Sequence, residues 1–97
     1  MNGDNIIKLI EDICISLRKK YNEGIEQLKE FIPVLQGELT ELMTVGMEKG
    51  IEQNEWLIVL TDIVDAMTRG DGVLLVDVLE YGLLELVEQT YDMEQGV

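Results

Sequence analysis

Apolar residues recur along this chain with helical rather than strand period. Advancing 100° per residue from Ile6, the side chains of Ile7, Ile10, Ile13, Cys14, Leu17, Tyr21, Ile25, Leu28, Phe31, Ile32 and Leu35 fall within an arc of about 120°. The pattern predicts a first amphipathic helix over about 4–32, with Asp4 as its N-cap. Gly24 lies inside the stripe without shifting its phase, which suits a close-packing position or a soft spot better than a helix end. Pro33 has no amide proton and disfavours helical geometry at Ile32, so the chain is expected to break or kink there. Leu35, Leu39, Leu42, Met43 and Gly46 then continue the arc in a second helix, about 33–47. One unbroken helix through both segments would span about 60 Å, too long for a compact domain of this size.

Gly46 and Gly50 supply a turn into a third helix, about 51–68. Trp56, Leu57, Val59, Leu60, Ile63, Val64, Ala66 and Met67 occupy one half of its circumference and polar residues the other, with Ile58 the exception. Arg69 followed by Gly70 provides a cation in the last turn and a residue tolerant of left-handed geometry, which together end a helix. Asp71 then caps a fourth helix, about 72–93. Leu75, Val76, Leu79, Leu83, Leu86 and Val87 form its main stripe, but Leu74, Val78 and Tyr81 form a second and Leu84 and Tyr91 a third. A helix apolar in several directions is either central in its bundle or covered by another molecule. A chain of 97 residues has few helices with which to cover it, so Leu74, Val78, Tyr81, Leu84 and Tyr91 are read as a partner or dimer interface. With no strand-like alternation and no repeat, the expected fold is all-α, a bundle of three or four helices in one domain over 1–97.

Charge narrows the partners. Twenty acidic residues against seven basic ones give a net charge of −13, which repels phosphate backbones and anionic lipid, so neither nucleic acid nor a membrane is an expected partner. The imbalance is concentrated in residues 51–97, where Arg69 is the lone base. Cys14 is the single cysteine and lies on the apolar face of the first helix, so it reads as a buried, inert thiol in a reducing compartment. The first residues lack the basic and apolar regions of a signal peptide, and no segment approaches the length of a membrane span, so a cytoplasmic protein is expected.

Chemistry is limited by the absence of histidine and of any glycine-rich phosphate loop, leaving carboxylates as the plentiful reactive groups. Glu38-x-x-Glu41 followed by Asp62-x-x-Asp65 resembles the acidic pairs with which MazG-like all-helical nucleotide pyrophosphatases hold magnesium. The resemblance covers about residues 35–67 and implies metal-assisted hydrolysis by those four side chains. It departs from the family in having Asp62 where a glutamate stands and few basic residues nearby for phosphates. Helical phase also turns Asp62 and Asp65 away from the Trp56, Leu60, Ile63 and Met67 stripe, toward solvent.

A contiguous likeness lies further on. Gly70-Asp71, Leu74-Leu75, Asp77, Leu79-Glu80-Tyr81 and Leu83 resemble the G-D-x-x-L-L-x-D-x-L-E-Y-x-L signature of small uncharacterised helical proteins of Gram-positive bacteria. This chain has Gly82 and Glu85 where those proteins continue with a glutamate and a proline. The likeness implies a helical fold without an assigned activity. The leading expectation is a non-enzymatic interaction protein with no catalytic residue and no cofactor. It would form a homodimer or bind an amphipathic segment of a protein partner, as small adaptors and flagellar-export chaperones do. The alternative is the magnesium-dependent hydrolase.

Overall fold

The computed structural model describes residues 3–95, which form four helices and no strand among the described residues. Helix α1 is Gly3–Lys19, α2 is Tyr21–Glu48 and α3 is Gln53–Arg69. Helix α4 starts as Gly72–Val78, widens through a π-helical turn at Leu79–Leu83 and continues as Leu84–Gln95. The all-α bundle anticipated from periodicity is therefore present, with α3 and α4 close to their expected bounds. The first two helices are divided differently.

The chain breaks at Lys20, not at Pro33. Lys20 is extended (φ −144°, ψ 97°). Its amide donates to Ser16 O at 2.7 Å to finish α1, and its carbonyl accepts from Gly24 N at 3.1 Å to open α2. This single residue turns α2 back on α1 with those backbone groups satisfied. Helix α2 instead runs through Pro33, whose ring is exposed while Phe31 and Leu35 on either side are buried. Burial of those flanking side chains outweighs the missing hydrogen bond and holds the helical path. The expected excess length is accommodated as well: α2 alone spans about 40 Å, matching the 38 Å long axis of the molecule.

Asp4 is a second correction at the N-terminus. Because α1 already includes Gly3, Asp4 lies in the first turn, where its charge favours the helix dipole, and does not cap it. Downstream the expected punctuation holds. Gly70 closes α3 in left-handed geometry (φ 66°), and the Asp71 carboxylate accepts from Leu74 N at 3.0 Å to cap α4. A cap that the sequence reading did not include opens α3: the Glu55 carboxylate accepts from Glu52 N at 2.9 Å, and the Glu55 amide donates to Glu52 O at 3.0 Å.

Helix α4 packs against α1, α2 and α3, while α2 and α3 barely touch each other. This central position accounts for its apolar residues on several sides. Ile10, Leu28, Leu42, Trp56, Leu75, Leu79, Leu83 and Val87 are fully buried around it. The indole N–H of Trp56 is buried in this core without an acceptor among the described residues.

Candidate functional site

Two surface features among the described residues bear on function. The first follows from the way α4 separates α2 from α3. Leu28, Phe31, Ile32, Leu35 and Leu39 of α2 face Leu60, Ile63 and Val64 of α3 across an apolar cleft of about 170 Å³. Leu83 of α4, fully buried, forms its floor, and Gln36 is its only polar lining residue. The cleft opens onto an exposed edge of α3, where Leu57 is 53% and Val64 60% exposed. Thr61 and Thr68 continue that edge at helical spacing. Their hydroxyls donate to Leu57 O and Val64 O, each at 2.8 Å, so their hydrogen bonds are met within the helix.

The second feature is an acidic hollow beside the π-helical turn. Glu11, Glu80, Glu85 and Glu88 line it, with Arg18 and Tyr81. Arg18 forms an ion pair with Glu80, tying α1 to the turn. Cys14 lies at its back, almost fully buried. Burial first, and then the charges of Glu80 and Glu11 against the opposing pull of Arg18, push its thiol up to about 11.

The thiol thus stays protonated and inert at neutral pH, in accord with its reading as a core residue. Since its ordinary value is 9.0, its contribution to stability is fully present below pH 9 and is lost as pH rises toward 11, because the unfolded chain ionises first. Denaturation midpoints measured across pH 8 to 11 should therefore fall more steeply for the wild type than for Cys14→Ala, which lacks this ionisation. Parallel slopes would show that burial does not perturb the thiol.

Of the five residues read as an interface, Leu74, Val78, Leu84 and Tyr91 are half-buried and pack against the core. Tyr81 alone projects, 68% exposed, from the π-helical turn. The four carboxylates of the hydrolase reading are spread over two helices, Glu38 and Glu41 on α2 and Asp62 and Asp65 on α3. Glu38 is half-buried, Glu41, Asp62 and Asp65 are exposed, and Asp65 pairs with Arg69 at 3.1 Å. Among the described residues no three acidic, cysteine or histidine side chains gather to hold a metal ion.

Sequence reasoning missed the α2–α3 cleft. Its signal was the breadth of two apolar arcs: Ile32 and Leu39 lie on the margin of the α2 stripe, and Leu57 and Val64 on the margin of the α3 stripe. Which margins face each other depends on the position of α4, and that is a tertiary fact. No helix among the described residues is long and apolar enough to cross a membrane. Compared with protein-family models, with curated proteins and with solved structures, the chain matches none.

Proposed function

We propose that this protein is a non-enzymatic interaction module that docks an apolar helical face in the cleft between α2 and α3. The observation that carries this reading is the cleft itself: nine apolar side chains and Gln36 around an opening of about 170 Å³, continued by the exposed edge of Leu57 and Val64. Water at such a surface is displaced favourably by an aliphatic or aromatic side chain. A helix entering the groove would anchor through residues spaced by three and four. The net charge of −13 keeps a protein with this surface soluble.

The test uses a neutral apolar dye, Nile red, at nanomolar protein. Dye emission should rise with the wild type and with Tyr81→Glu, and should fall at least fivefold in Ile32→Glu and Val64→Glu, which place a charge at the cleft. Equal emission from all four proteins, with helicity unchanged by circular dichroism, would remove the cleft as a binding surface.

A further inference from the structure

We infer that the occupant of the α2–α3 cleft is the same cleft of a second copy of this chain, giving a two-fold homodimer through a face whose lining carries no charge. The inference rests on the docking role proposed for the cleft and names its partner. None of its ten lining residues is charged, in a protein with twenty acids. Leu57, Thr61 and Thr68 extend this neutral surface along α3, and Pro33 and Thr40 flank it on α2. Charges at the margins are already balanced: Lys29 pairs with Glu26 at 3.5 Å, and Arg69 with Asp65 at 3.1 Å.

This arrangement has an apolar centre and a polar rim, as protein interfaces do. It also suits one partner better than others. A basic partner would be drawn to the acidic faces elsewhere, such as the hollow of Glu11, Glu85 and Glu88. A second copy, itself at −13, is repelled by those faces and meets least repulsion where both surfaces are neutral.

Gln36 adds a specific match. Its side-chain amide has both donors and an acceptor, so across a two-fold axis it can pair with its own copy. Size limits the strength of the pairing. The face runs about 26 Å along α3 and two helix diameters across, a projected area on the order of 500 Å², below the roughly 800 Å² per partner of a standard interface, so the dimer is expected at micromolar rather than nanomolar protein.

Sedimentation velocity at tens of micromolar tests the pairing. The wild type should sediment as a dimer of 11.0 kDa chains and tighten severalfold between low and moderate salt, as screening weakens the repulsion. Ile32→Glu and Val64→Glu should be folded monomers, and Tyr81→Glu should remain dimeric. A gentler variant guards against misfolding: Gln36→Cys should form a disulfide-linked dimer on mild oxidation, while Cys14 stays buried and unreactive. A wild type that is monomeric at both salt levels, yet binds Nile red in its cleft, would overturn the self-pairing and leave the docking reading standing. A dimer that survives both cleft variants and dissociates with Tyr81→Glu would move the interface to the π-helical turn and likewise overturn it.

Discussion

Gly24→Ala should destabilise this protein by about 2 kcal/mol, although alanine is the better helix former by about 1 kcal/mol. A Cβ on Gly24 would stand 2.7 Å from Leu17 Cγ, Leu17 Cδ2 and Leu17 N. The first two atoms belong to a buried side chain that has little room to turn. The third is backbone of α1, so relief requires the whole helix to move away from α2. With Lys20 as the single connecting residue, that movement has no slack to absorb it. For a chain of this length a loss of 2 kcal/mol corresponds to a melting temperature lower by roughly 8–16 °C. Gly37→Ala is the control, since nothing lies within 4 Å of a Cβ there. Relieved of backbone entropy without a clash, it should raise stability by about 0.5–1 kcal/mol. If both alanines stabilise, α1 and α2 are packed more loosely at their junction than the structure shows.

The pair Lys20 and Pro33 shows what the sequence could and could not disclose. Periodicity reports which face of a helix is buried, and it did so across both residues: Leu17 and Leu28 are buried as expected, with Tyr21 half-buried beside them. It does not report whether the axis is continuous. The spacing Leu17, Tyr21, Gly24, Leu28 keeps helical phase through a break of one extended residue, so nothing in the pattern marked Lys20. Close packing was one of two readings open for Gly24, a soft spot being the other, and the contact with Leu17 favours it, but the turn that the close packing permits was not legible. Conversely, Pro33 is a strong local signal overridden by tertiary burial on either side.

Helix α4 makes the same point for the candidate site. Its surplus of apolar residues was visible, and two explanations fitted it, a central position or a molecular interface. The structure puts α4 in the centre and packs Leu74, Val78, Leu84 and Tyr91 on the core, leaving Tyr81 exposed. The apolar cleft that stays open lies between two other helices, each with a stripe slightly too wide for its place. Such a surface is legible only after the helices have been set side by side.

Pro33→Ala should stabilise the protein by about 2 kcal/mol, an unusual direction for a substitution within a helix that spans the molecule. Pro33 sits well inside α2, with twelve residues before it and fifteen after. Its missing amide deprives the Lys29 carbonyl of the helical partner it would otherwise have, and its ring crowds that same carbonyl. Alanine restores the donor and removes the crowding. Its side chain would occupy an exposed position, so no core contact is lost. Proline also restricts the unfolded chain, an advantage of about 0.4–1 kcal/mol that the variant gives up, which keeps the expected gain below the roughly 3 kcal/mol between alanine and proline in helix interiors. Chemical denaturation monitored by circular dichroism measures it directly, with the midpoint moving up and the slope unchanged. A loss of stability would mean that Pro33 gives α2 a curvature which both Phe31 and Leu42 need in order to reach the core. Because Pro33 flanks the neutral face, sedimentation of the same variant also bears on the dimer. A straighter α2 that leaves the two cleft walls in place should pair as the wild type does.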